Sequence, residues 1–317
     1  MKKHMFLLWI VYGGLLIIMF FISSTDILLV HERSEVKRVA VIMNHDKDDE
    51  YINLKKGIER ACTDYNIDLD FIKLNTGGDE EEQIHIILQE AQEGADALII
   101  AAINTPRVLK TMESRGQKVP LIVLGGRKEE ALLPSLSVSL QAGLCGFKED
   151  LAKQRSDEKV YLIASDPSLR QIEGAQEEIE TFFGGEGRQT VLKRGELGKK
   201  DLEAMLAQGE RPVLVALDKA SFSDIARIIS EQSELHGEFS GIYGVGATVY
   251  LLNKLEQGMI DGMIIWNEYE EGYAAVELAL EAMNAEGSAR EKSIQSYYID
   301  RSTLLSEEFT GMLYPID

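Results

Sequence analysis

Arg38-Val39-Ala40-Val41-Ile42-Met43, Asn44-His45-Asp46-Lys47-Asp48-Asp49-Glu50-Tyr51 and Ile52-Asn53-Leu54-Lys55-Lys56-Gly57 read in turn as strand, loop and helix. The first piece is a short apolar run. The second is polar and closes on an aromatic residue. The third opens a helix with Ile52, Leu54 and Ile58 as its apolar positions. This is a first unit of a parallel α/β sheet, in which loops leaving the carboxyl ends of the strands line the ligand crevice. The segment Asn44 to Tyr51 is therefore expected to face whatever the protein binds.

The unit repeats. Leu69–Leu74 alternates as a strand, Glu80–Glu93 carries Ile84, Ile87, Leu88 and Ala91 at helical spacing, and Ala97–Ala102 is a continuous apolar strand. Ile103-Asn104-Thr105-Pro106 forms its loop, a helix runs to Gly116, and Val119–Leu124 is a fourth strand before Gly125-Gly126-Arg127. A second series follows, with strands expected at Lys159–Ala164, Gln189–Leu192, Pro212–Leu217, Phe239–Gly244 and Gly262–Trp266, separated by helices. A helix from Glu270 to Met283 and a strand Ser296–Asp300 complete the pattern. Two doubly wound series in 317 residues imply two domains of one architecture.

Lys2 and Lys3 precede 21 uncharged residues, Met5–Thr25, which as a helix span roughly 30 Å. The segment is expected to be a membrane anchor starting inside, with the rest of the chain outside the cytoplasm. A cleaved signal peptide ending near Ile22-Ser23-Ser24 is the alternative. With 33 basic against 53 acidic residues the net charge is −20, and no basic stripe offers itself to nucleic acid. The two cysteines, Cys62 and Cys145, fall on expected helices and read as free thiols rather than a disulfide.

Tyr51 followed by Leu54-Lys55-Lys56-Gly57 on the first helix of a two-lobed α/β chain resembles the periplasmic sugar-binding proteins of ribose and galactose type. Ala95-Asp96-Ala97-Leu98-Ile99-Ile100 and Val119-Pro120-Leu121-Ile122 are similar to two strands of that family, and Leu255–Gly258 with Trp266–Gly272 matches the spacing of its re-entry into the first lobe. The resemblance implies an α/β fold of two doubly wound Rossmann-like lobes joined by a three-crossing hinge, type I periplasmic-binding-protein-like, here preceded by an N-terminal transmembrane helix. It divides the chain into an anchor or signal segment (1–31), an amino-terminal lobe (36–138 and 268–293) and a carboxy-terminal lobe (139–267 and 294–317). A ligand would lie between the lobes, which close around it.

Carried over residue by residue, the resemblance makes Tyr51 a stacking platform for a sugar face and Asn44 and Asp46 hydrogen-bonding partners in the same loop. Asn104, Arg127, Arg170 or the adjacent Gln171, Asp218 and Trp266 complete the expected ligand set. The departures are as informative. Gly125-Gly126 stands in place of Asp-Arg, Gly246 and Ser139 replace aspartates, and Trp266 occupies the place of a polar residue, so several hydroxyl acceptors are missing.

Tyr51 and Trp266 could equally be core aromatics, and Arg127 and Arg170 could form ion pairs across the cleft. The acidic run from Asp46 to Glu50 lacks the glycine and terminal glutamate of a calcium loop and reads as solvated. Gly244-Val245-Gly246-Ala247 lacks the third glycine of a dinucleotide loop. The five histidines are scattered, and no nucleophile has a recognisable partner. No enzyme activity and no cofactor is expected. The partners expected are a small polar ligand, by preference a carbohydrate, and a membrane permease of an ABC-type transporter. The alternative partner is a histidine kinase or other sensor served by a membrane-anchored ligand-sensing module.

Overall fold

The structure, a computed structural model, describes residues 2–24, 36–44, 51–75, 79–125, 133–151, 159–165, 170–185, 190–195, 197–206, 211–284 and 291–315. The chain falls into two units, Met1–Lys37 and Arg38–Asp317. The first holds one helix, α1 (Lys2–Ser24), of 23 residues. Its side chains are described at Met5 and over 9–20, and among the described residues no helix is long and apolar enough to cross a membrane. The segment expected to be a membrane anchor is helical over Lys2–Ser24, but the described residues do not show it as a membrane span.

The second unit alternates strands and helices. Its first half comprises β1 (Lys37–Met43), α2 (Ile52–Tyr65), β2 (Ile67–Lys73), α3 (Glu80–Gln92), β3 (Ala97–Ile100), α4 (Thr105–Ser114), β4 (Leu121–Leu124) and β5 (Ser135–Ser139). A second half follows with α5 (Gln141–Leu151), β6 (Val160–Ala164), α6 (Arg170–Gly185), β7 (Thr190–Arg194), α7 (Lys199–Leu206), β8 (Val213–Ala216) and α8 (Lys219–Glu231). It continues through α9 (Ser233–His236), β9 (Gly241–Val245), α10 (Val249–Glu256) and β10 (Gly262–Trp266). The chain then runs through α11 (Glu268–Asn284), β11 (Glu291–Asp300) and α12 (Glu307–Leu313).

The strands form one sheet in the order β2-β1-β3-β4-β5-β11-β10-β9-β8-β6-β7. The order is two copies of one winding placed back to back, with β11 as the shared member. Over Glu291–Gln295 that strand runs parallel to β5, and over Ser296–Asp300 it runs antiparallel to β10. Strands of the first half therefore point along β11 towards its middle, and those of the second half point back towards the same place. Ser139, the last residue of β5, is level with Gln295; Trp266, the last of β10, is level with Ser296. The carboxyl ends of both halves thus face one seam, where a doubly wound sheet binds its ligands.

Burial explains why these runs became strands. Every residue of β3, β4, β6 and β8 is buried, as expected of central strands covered on both faces. Leu54, Ile58 and Ala61 of α2 meet Ala275, Val276, Leu278 and Ala279 of α11 in one core, so the re-entrant helix completes the first half. Two glycines permit that approach. A Cβ on Gly57 would lie 1.9 Å from the Tyr269 carbonyl oxygen, and one on Gly272 would lie 2.1 Å from that of Leu54. Gly57 closes the Leu-Lys-Lys-Gly stretch, so its motif role is backbone contact between helices.

Three elements at the seam and the carboxyl end escape the sequence reading, as does the one-turn helix α9. β5 reads Ser-Leu-Ser-Val-Ser and the first half of β11 Glu-Lys-Ser-Ile-Gln, both too polar to form an apolar run, because they lie at the seam. The short helix α12 is the third; its Phe309 and Leu313 are buried against Met263, Ile265 and Ile299 of the second half. The strand expected at 69–74 spans Ile67–Lys73.

Candidate functional site

On the first-half side of the seam, β1 ends at Met43 and Asn44 follows, 4% exposed. Its Oδ1 accepts a hydrogen bond from the Tyr51 hydroxyl at 2.9 Å, which ties the two ends of the 44–51 loop together. Tyr51 is half-buried against the core of that half. After β3, Asn104 caps α4: its Oδ1 accepts from the Arg107 amide at 3.2 Å, and Pro106 sits in the first turn, where its missing N–H costs nothing. The loop between them is braced from α3 by buried Gln83, whose Nε2 donates to the Ala101 carbonyl (2.9 Å) and whose Oε1 accepts from the Ile103 amide (3.0 Å). Gln83 was not foreseen; a glutamine one position before the apolar Ile84 on a helix face gave no signal.

On the opposite side Asp218 is the hub. It caps α8 by accepting from the Ser221 amide at 2.8 Å, takes the Ser221 hydroxyl at 3.0 Å, and accepts from Ser165 through both its amide (2.9 Å) and its hydroxyl (2.8 Å). Ser165 follows β6, so one carboxylate joins two neighbouring strand ends. Its four lone-pair sites are all engaged within the fold. In this arrangement Asp218 frames the crevice as the cap of α8, a role the sequence reading did not give it.

Where the two sides meet, the Trp266 indole N–H donates to Glu271 Oε2 at 2.6 Å. Trp266 ends β10 of the second half, while Glu271 lies on α11, which packs into the first. Lys219, the first residue of α8, reaches the same place: its Nζ is 2.6 Å from Glu268 Oε1 on α11 and 5.9 Å from the Trp266 ring centroid. Gly246 has φ +89°, and a Cβ there would lie 2.6 Å from Lys219 Cγ. The glycine that replaces an aspartate of the resembled family thus makes room for Lys219. Burial pushes the Glu271 carboxyl up to about 7; the Glu268 charge adds to the rise, and the indole N–H and Lys219 oppose it. Lys219, Glu268 and Glu271 were also unforeseen, since charges at helix starts usually read as solvated.

Asn44, Tyr51, Asn104, Asp218 and Trp266 all sit at carboxyl ends of strands, on the two sides of one seam. Asp46 and Arg127 lie outside the described residues, and Arg170 and Gln171 open α6 with side chains that are not described. Gly125, beside Arg127, adopts φ +70°, which accounts for a glycine directly after β4. Among the described residues no three His, Cys, Asp or Glu side chains could hold a metal ion. Cys62 is buried and Cys145 exposed, and they are unpaired.

A model of the periplasmic binding protein domain matches residues 39–131. Many solved structures share the architecture. A glucose-galactose binding protein from Geobacillus stearothermophilus superposes with a TM-score of 0.73 at 14% identity, covering 86% of this chain and all (100%) of its own. An ABC transporter solute-binding protein from Agrobacterium vitis, bound with α-D-tagatopyranose, gives 0.74 at 17% identity, covering 88% of this chain and 100% of its own. Another from Bacillus halodurans, with bound myo-inositol, gives 0.69 at 16%, covering 87% and 98%. No curated sequence matches the chain significantly. The fold is that of type I periplasmic binding proteins: two α/β halves with their strand ends turned to a common cleft.

Proposed function

We propose that the chain is an extracytoplasmic solute-binding protein that captures a small polar ligand, a carbohydrate by preference, between two lobes, for delivery to an ABC-type transporter. The observation that carries this reading is the convergence of strand carboxyl ends from both halves on one seam, with an aromatic residue on each side. Tyr51 and Trp266 offer apolar ring surface for C–H faces of a sugar. Asn44 and Asn104, with Asp46, Arg127, Arg170 and Gln171 as the further expected ligand residues, supply polar contacts, while Asp218 holds the second side in shape. The lobes are taken as 36–138 with 268–293 and 139–267 with 294–317. Closure about the three crossings presents both lobes to the permease. The sugars and the cyclitol bound by the structural neighbours support the ligand class.

The reading includes a single membrane anchor at α1. Its 23-residue helix is about 34 Å long at the usual rise, and Trp9, Val11, Ile18 and Phe20 are all exposed on it. An uncleaved anchor keeps the protein in the membrane pellet after alkaline extraction, at full length by mass; release of a shortened chain would overturn this part of the reading.

Binding is tested by thermal unfolding of the detergent-solubilised chain against pentoses, hexoses, disaccharides, polyols and amino acids. A true ligand at a hundredfold excess over its Kd adds about 2.7 kcal/mol, and Tyr51→Ala is expected to abolish the gain. A well-folded chain silent across the carbohydrates would overturn the sugar assignment.

A further inference from the structure

The last helix is anchored in one lobe and hydrogen-bonded to the other. Phe309 and Leu313 of α12 are buried in the core of the second half, with Phe309 against the Tyr297 ring at 5.9 Å. At the helix end and just past it the backbone acceptors meet the other half. The Leu313 carbonyl accepts from Asn53 Nδ2 at 3.0 Å, and the Pro315 carbonyl accepts from Lys56 Nζ at 3.2 Å. Both donors lie on α2, the helix locked to α11 in the first half. The Leu313 carbonyl closes α12 without an N–H partner inside the helix and the Pro315 carbonyl lies two residues past it, so an amide and an ammonium are apt donors.

Three features set this contact apart from ordinary surface pairing. It is not one of the chain crossings, which pass within residues 138–140, 266–268 and 293–296. Its acceptors are main-chain atoms, so side-chain variation along α12 leaves them in place. It also meets α2 in its opening turns, within five residues of Tyr51 and at the end that faces the seam.

We propose that the carboxy-terminal segment from α12 to Pro315 is a non-covalent strap that tethers the second lobe to α2 and limits how far the cleft opens. The inference rests on the two-lobed hinge reading but not on the identity of the ligand. Any outward rotation of the second lobe carries α12 away from α2 and must break the Asn53 and Lys56 bonds. The strap therefore biases the ligand-free protein toward the setting in which Tyr51 and Trp266 are already near their working separation.

The test is the interlobe distance in the ligand-free, full-length protein in detergent, read between spin labels on exposed Cys145 of α5 and on Lys110→Cys of α4, with Cys62 buried and unlabelled. Combining Asn53→Ala with Lys56→Met is expected to lengthen the mean distance and broaden its distribution. A chain ending at Tyr314, which removes the Pro315 acceptor of Lys56 with residues 316–317 and keeps the Leu313 acceptor of Asn53, should shift it in the same direction by less. A second pair within one lobe, Cys145 with Glu203→Cys, should not move. Unchanged interlobe distributions in both variants, or a shift in the intralobe pair, would overturn the strap; a failed sugar screen would leave it standing.

Discussion

The two halves of the sheet put a capping side chain at the same topological position, after the third strand of each winding, and use it differently. In the first half Asn104 makes a cap bond to Arg107 and, among the described residues, no side chain joins it to Asn44 at the neighbouring strand end; that loop is shaped by Gln83 from behind and by packing of α2 on α11. In the second half Asp218 makes its cap bond and also takes both donors of Ser165. One side of the cleft is set by helix packing, the other by a single carboxylate. The side that depends on a carboxylate should respond to one polar substitution. The side that depends on packing should respond only to a change of shape.

Gly57→Ala is expected to be the most damaging change, because its Cβ would overlap the Tyr269 carbonyl and force α2 from α11. A loss of about 4 kcal/mol in denaturant unfolding is expected, and a loss below 1 kcal/mol would show that the first half is not held by this contact. Glu271 spans the two sides, and its effect depends on pH. Its carboxyl lies near 7 in the folded protein, above the ordinary 4.5, so the folded form holds the proton more tightly. Its stabilising contribution is complete below about pH 4.5 and declines as pH rises through 7. The total is about 3 kcal/mol. Glu271→Gln should flatten that segment of the stability profile, and fluorescence of Trp266 in a Trp9→Phe background should follow the same titration.

Asp218→Ala should cost about 2–3 kcal/mol, combining a lost cap with stranded Ser165 donors. Asn104→Ala should cost about 1 kcal/mol, as a cap alone. Equal losses at the two positions would erase the distinction between the halves.

Much of the fold was legible because buried parallel strands such as Ala97–Ile100 and Val213–Ala216 are unbroken apolar runs, and because each is followed by a polar loop and a periodic helix. The seam was not. β5 and the first half of β11 pair with each other through residues such as Ser137 and Ser293, and their strand character comes from those partners rather than from their own composition. The site was legible in position but not in detail. Strand ends named Asn44, Tyr51, Asn104, Asp218 and Trp266. The pairing of Lys219 with Glu268 and of Trp266 with Glu271 depends on two helices, remote in sequence, that begin side by side.

The return of α11 and β11 to the first half also bears on when the protein can fold. The core of that half needs Val276, Leu278 and Ile294, and the second half needs Ile299, Phe309 and Leu313. Neither is closed until nearly the whole chain has been synthesised. A ribosome or an export channel feeding the chain forward from its amino terminus therefore meets one complete cluster, between Ala40 and Val123 under α3 and α4, while the α2 face of the first half stays open. The α2 face of the first half and the α12 face of the second stay open until the last fifty or so residues (α11 onward) emerge, and then close together.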